Sequence, residues 1–263
     1  MLLTLSANSL SRRIGSTGPL GLDLLDLPAY AREHLDLYGL QISASMLAGA
    51  ESSVFDRLRD RADKAGCPCL LLSEDDPQPL SAQDGRAEAA MERMDRVIRG
   101  AHKLGCNAVA FAIEARDDAT SIENVAERMK HVMERAERLE LNLLIAPRAG
   151  LTADPERLAT LIKKIGGFRI GSLPDFETAA NTGDAAEYLR RVTPYASSVV
   201  ASTRVFDDAG VHEPYDLRAC LESVMSVGYD GALAIDYRGK GDPVEGVKRT
   251  RDALLAALEA PEP

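Results

Sequence analysis

Carboxylates, guanidinium groups and hydroxyls gather at eight places along the chain, each just beyond a short aliphatic run. These places hold Ser6 and Asn8; Ser43 and Ser45; Ser73, Glu74, Asp75 and Asp76; Glu114 and Arg116; Arg148; Asp175 and Glu177; Ser202, Thr203 and Arg204; and Asp236 and Arg238. Arginines set among acids can take one of two roles: a planar fork for a phosphate or carboxylate ligand, or ion pairs on the acids themselves. Arg148, Arg204 and Arg238 are candidates for either. His34, His102 and His131 fall in helical stretches, whereas His212 lies in a loop from which it could act as a general base. No His/Asp motif pairs with Ser6, Ser43, Ser45 or Ser202 to make a nucleophile. The Cys67-Pro68-Cys69 pair has no second Cys or His pair at zinc-site spacing, so core packing is its expected role.

Eight times, an aliphatic run is followed by a longer stretch with helical apolar spacing, at a period of roughly 30 residues, the rhythm of a parallel sheet with helical crossovers. The expected strands are Leu2–Ser6, Leu40–Ser45, Cys69–Ser73, Ala108–Ile113, Asn142–Ala146, Arg169–Leu173, Ser198–Ser202 and Ala232–Asp236. Pro28, Ser52, Asp154-Pro155-Glu156 and Asp242-Pro243 mark helix entries, and Gly39, Gly66, Gly105, Gly166 and Gly228 mark the stops. Stripes such as Ala90, Met94, Val97, Ile98, Ala101 and Leu104, or Ile122, Val125, Met129, Val132, Met133 and Ala136, give each long helix one core face. A mobile loop is expected over residues 76–85. Eight strand–helix units in 263 residues predict an α/β fold, one (β/α)8 TIM barrel spanning 1–263, since such a barrel typically takes about 250 residues. In that fold the strand C-termini and the loops after them share one face, which brings the eight polar places together.

The formal net charge of -10 disfavours nucleic acid and anionic lipid as partners, and an apurinic endonuclease with its basic groove is disfavoured for the same reason. No apolar run is long enough to span a membrane, and the first residues do not read as a secretory signal. The expected address is the cytoplasm. Nothing in the sequence opposes a homo-oligomer.

From Leu143 to about Leu254 the chain resembles the sugar phosphate isomerase/epimerase family of xylose isomerase-like barrels. The resemblance rests on LLIAPRAGLTADPERL, RIGSLPDFETA, YLRRVTPYASSVVASTRVFDDAG and GYDGALAIDYRGKGDPVEGVKRT, in the order and spacing of that family's strands five to eight. It implies a divalent cation (Mn, Mg, Co or Zn) held by a Glu ending strand five, an Asp after strand six, a His on strand seven and a Glu ending strand eight. Asp175 matches the second position, and Asp236, shorter by a methylene, stands at the fourth. Ala146 and Val200 stand at the first and third, and Ser202 stands where many relatives carry a lysine.

Two expectations follow. The first is a sugar or sugar phosphate isomerase or epimerase: Asp175 and Asp236 would hold a cation or orient hydroxyls, Arg148, Arg204, Arg238 and Ser202 would bind substrate, and Glu74, Glu114 or His212 would move the proton. The second is a non-catalytic binding or scaffold protein, a pseudoenzyme that kept the barrel, holds no metal, and fills the cation position with arginine–acid pairs.

Overall fold

The computed structural model describes residues 1–18 and 20–259. Its strands are β1 (Leu2–Ser6), β2 (Leu40–Ser43), β3 (Cys69–Gln78), β4 (Ala108–Ile113), β5 (Asn142–Ala146), β6 (Ile170–Ser172), β7 (Ser198–Thr203) and β8 (Ala232–Tyr237). All ladders are parallel and the strand order is β6-β5-β4-β3-β2-β1-β8-β7. The remaining seam, between β6 and β7, closes through single bridges, Ser172 to Ala196 and Asp175 to Val200, with the Val200 N–H donating to the Pro174 carbonyl at 2.8 Å. Gly171 makes that seam possible, because a Cβ there would overlap the Tyr195 carbonyl oxygen.

The helices are α1 (Leu27–Leu35), α2 (Ser52–Ala65), α3 (Arg86–Leu104), α4 (Ala119–Arg138), α5 (Pro155–Ile165), α6 (Phe176–Ala180), α7 (Ala185–Val192), α8 (Leu217–Met225) and α9 (Pro243–Glu259). The predicted stripes of α3 and α4 are buried against the outside of the strands, in the main apolar layer. A second, small cluster fills the barrel interior: Leu71, Ala108, Ala110, Leu144, Leu173 and Val200. Side chains alternate faces along a strand, so each strand feeds both layers.

Most of the punctuation falls where expected. Gly66 and Gly105 cap α2 and α3 with positive φ, and the Asp154 side chain caps α5 at the Arg157 N–H. Three elements differ. β2 ends at Ser43, short of the expected Ser45, which lies in a 3-10 turn over Ala44–Leu47. α1 stops at Asp36, which takes the left-handed conformation (φ 52) three residues before Gly39. β3 runs on to Gln78 through Asp75-Asp76-Pro77, with a register shift against β4. The segment after it is pinned rather than loose: Leu80 is fully buried, and Arg128 donates to the carbonyls of Leu80 (2.6 Å) and Ala82 (2.8 Å).

Among the described residues no helix is long and apolar enough to cross a membrane. Cys67, Cys69, Cys106 and Cys220 are buried free thiols, and burial pushes those of Cys67 and Cys69 up to about 12. They are core residues, as the sequence implied.

Candidate functional site

An open cavity of about 880 Å³ occupies the face formed by the strand C-termini. Its wall divides by strand. From β8, β1, β2 and β3 come Asp236, Ser6, Gln41 and Ser73, with Glu74 and Asp75 just above them; from β4 to β7 come Ala110, Ala112, Ala146, Leu173 and Val200. The strand residues of the first half are polar and those of the second small and apolar, with Arg148, Asp175, Thr178, Asn181 and Thr182 from the loops and helix beyond β5 and β6 above the second. The loops interlock at the mouth, where Asn8 donates to Asp75 Oδ2 (3.1 Å) and Arg148 Nη1 to the Asp75 carbonyl (2.7 Å). Arg12, which no sequence signal pointed to, donates to the carbonyls of Gly239, Lys240 and Gly241.

Arg238 dominates the charge of the site. Its Nε donates to Asp236 Oδ2 at 2.8 Å, Nη1 to Glu177 Oε2 at 2.8 Å and Nη2 to Asp175 Oδ2 at 2.6 Å, with a longer Nη1 contact to Asp175 Oδ1. Arg204 pairs with the other oxygen of Glu177. Burial alone would lower the affinity of Arg238 for its proton, but the charges of Asp175 and Asp236 outweigh it and the guanidinium stays charged. Burial would raise Glu177, but its bonds to Arg204 and Arg238 hold it below the ordinary carboxylate range. For Asp236 burial wins: its carboxyl is raised despite Arg238 and the neighbouring Ser6 hydroxyl, the Asp175 charge adds to the rise, and Oδ1 is buried with no partner in hydrogen-bond geometry.

The local fold sets this geometry. Asp175 caps α6, its Oδ1 accepting from the Thr178 N–H at 2.7 Å, which aims the other oxygen at Arg238. Ser202, fully buried at the end of β7, accepts from the Glu177 N–H at 2.9 Å and fixes where that glutamate starts. Gly239 follows Arg238 where a Cβ would overlap the Arg204 carbonyl oxygen and the Tyr237 hydroxyl. Gly239→Ala is expected to cost about 1–3 kcal/mol by overpacking and to loosen the Arg238 loop, measured as a lower urea midpoint at unchanged m.

The structure gathers some of the sequence candidates and disperses others. Asp175, Asp236, Arg238, Glu74 and Arg148 line the cavity. Glu74 is buried and pairs with Arg93 Nε at 2.5 Å. Glu114 is exposed, His212 is buried, and neither belongs to the cavity wall. His212 is a structural pin: Nε2 accepts from the Arg204 N–H at 3.1 Å and Nδ1–H donates to the Tyr215 carbonyl at 3.0 Å, while burial lowers its pKa and keeps it neutral. Arg204 borders a separate niche of about 360 Å³ with Lys240 and Arg249. Ser202 lies beneath the wall rather than on it. Gln41, the polar member of Leu40–Ile42, lines the cavity; the two-residue alternation of β2 was the available signal for it.

These residues do not fit a divalent cation. The two candidate ligand aspartates are spanned by one guanidinium, Ala146 and Val200 bring no donor atom, and among the described residues no group of three or more His, Cys, Asp or Glu could hold a metal.

Eight parallel strands ringed by helices, with the polar cavity at their C-terminal ends, define a TIM barrel. The chain belongs to the xylose isomerase-like TIM barrel family, whose model matches residues 20–257. Its fold is similar to that of an L-ribulose 3-epimerase (TM-score 0.82, 16% identity, 98% of this chain and 95% of that one). It is also similar to a 3-keto-D-glucoside 4-epimerase from E. coli (0.76, 12%, 97% and 99%) and to the IOLI protein with a bound zinc atom (0.74, 10%, 98% and 98%). No curated protein matches the chain by sequence.

Proposed function

We propose that this barrel is a metal-independent binding protein for a small, neutral polyhydroxylated ligand, a sugar or polyol, held at the C-terminal face. The observation that carries the reading is the Arg238 guanidinium spanning Asp175, Glu177 and Asp236 beside a cavity that stays open. A cation would have to displace a charge already bonded to three carboxylates, whereas a neutral sugar has no such charge to displace at the half-polar wall. The similarity to sugar epimerases points to the same ligand class. A neutral sugar suits the site better than a sugar phosphate, because Arg12 and Arg148 are engaged with backbone carbonyls and Arg238 with acids.

A second reading, a metal-free isomerase or epimerase, draws on Asp236 and Glu74. Burial raises the Asp236 carboxyl above its ordinary value, and Glu74 is a second carboxylate on the same wall. In that case the two would take and return a proton next to a sugar carbonyl.

Titration calorimetry of the full chain with D-fructose, D-tagatose and myo-inositol, with and without EDTA, tests the first reading. At least one ligand is expected to bind, equally well with chelator, and the protein is expected to take up no manganese. Stoichiometric manganese uptake, or binding abolished by EDTA, would overturn it. Solvent deuterium appearing at a ketose carbon bearing hydrogen next to the carbonyl, and lost in Asp236→Asn, would establish the second reading instead.

A further inference from the structure

Two buried acceptors on the polar half of the wall have no donor in hydrogen-bond geometry: Asp236 Oδ1 on β8, with the Ser6 hydroxyl as its polar neighbour, and Gln41 Oε1 on β2. Both side chains are at least nine-tenths buried. They flank Ser6 on β1: Ser6 pairs in register with Gln41, and Leu5 pairs with Ile235, which places Asp236 beside Ser6 on the other side. Neighbouring strands lie about 4.8 Å apart, so the two acceptors stand on strands about 10 Å apart, within reach of two hydroxyls on one sugar-sized ligand. Buried polar atoms are nearly always paired, and a pair of orphans on one cavity wall marks where donors from outside belong. Across the cavity, Ala146, Leu173 and Val200 form an apolar floor with no polar side-chain atom, below a rim of Arg148, Asp175, Thr178, Asn181 and Thr182.

We propose that the cavity sorts the two sides of a polyhydroxylated ring: two hydroxyls donate to Asp236 Oδ1 and Gln41 Oε1, and a C–H face lies on Ala146, Leu173 and Val200. This rests on the polyol reading and narrows it. Asp236 Oδ1 is an acceptor, and no hydrogen bond fixes which way the Gln41 amide turns, so the deep end of the ligand carries a donor at Asp236 and a hydroxyl, which can donate or accept, at Gln41. Arg238, bonded to the other oxygen of Asp236, opposes an ammonium group as that donor, which leaves hydroxyls. A ring polar all round would leave hydroxyls unpaired against the apolar half, so the fitting ligand is a sugar or cyclitol with one face poor in hydroxyls.

Gln41→Leu removes one orphan at nearly constant volume, so it tests the idea in the free and the bound protein. Without ligand, its melting temperature is expected to rise by about 2–4 °C, because a buried unpaired polar group is gone. Affinity for whichever of D-fructose, D-tagatose or myo-inositol binds best is expected to fall by about tenfold or more, one hydrogen bond's worth. Saturation-transfer NMR on the wild-type complex should mark the C–H protons of one ring face above the other. Wild-type binding with unchanged affinity in Gln41→Leu, or even saturation of both faces, overturns the sorting proposal and leaves the polyol reading standing. Binding of D-glucosamine alone overturns the choice of hydroxyls over ammonium. Failure of every neutral probe to bind wild-type protein overturns the polyol reading and this inference with it.

Discussion

Arg238→Met is expected to remove roughly 2–4 kcal/mol of folding stability at neutral pH, between the worth of an exposed pair and that of a fully buried one whose partner is lost. The intermediate value follows from burial: the Arg238 side chain is 32% exposed, while Asp175, Glu177 and Asp236 are at 11%, 19% and 7%. With the guanidinium gone, three carboxylates face one another, and millimolar manganese is expected to restore part of the lost melting temperature in the variant and none in the wild type. The pH dependence has a definite sign. Glu177 is held below its ordinary pKa in the folded protein, so its contribution is complete above the unfolded value and disappears as pH falls through the folded one. Asp236 is raised, so its ionised form opposes folding above its folded pKa, and more strongly without Arg238. Both effects narrow the gap between variant and wild type on acidification into the carboxylate range. Thermal denaturation in matched buffers at several pH values, with and without manganese, checks both expectations, and a gap that widens on acidification contradicts the assignment.

Phe176→Ala is expected to cost about 3–5 kcal/mol, the usual range for deleting a buried aromatic ring. Phe176 is fully buried and sits between Asp175 and Glu177, so the same ring that anchors α6 also sets the spacing of two acids that hold Arg238. Phe176→Leu should keep most of the stability. Urea denaturation gives the energy, and a smaller effect of Arg238→Met at neutral pH in the Phe176→Ala background would show that the ion network loosened with the core.

The fold was legible because its signals are local. Asp154-Pro155 announces α5 within two residues, and the Met-bearing stripes of α3 and α4 give the buried faces from spacing alone. The misread elements follow the same logic. Asp75-Asp76-Pro77 has turn composition, yet it continues β3, because pairing with β4 resumes at Gln78 across the register shift. Asp36 closes α1 in a conformation the sequence reading reserved for Gly39.

Legibility of the site was more limited. The polar places after each strand could be listed, since the barrel fixes where strand ends go. Which of them meet could not, because Arg238 reaches acids 61 and 63 residues away and only the closed ring brings β6 and β8 to one cavity. Glu114 and His212 illustrate the limit: both follow strands, but one side chain is exposed and the other is fully used in holding its own loop.

A charge that belongs to the polypeptide differs from a captured ion in its supply. Arg238 is covalently continuous with β8, so the counter-charge of Asp175, Glu177 and Asp236 is made with every chain, in fixed ratio, without loading or a choice among competing metals. Chelators, dilution and metal scarcity cannot strip it, and no wrong ion can be exchanged for it. On the metal-independent reading, the same permanence removes a means of control, since the electrostatic state of the site would not follow the metal content of its surroundings.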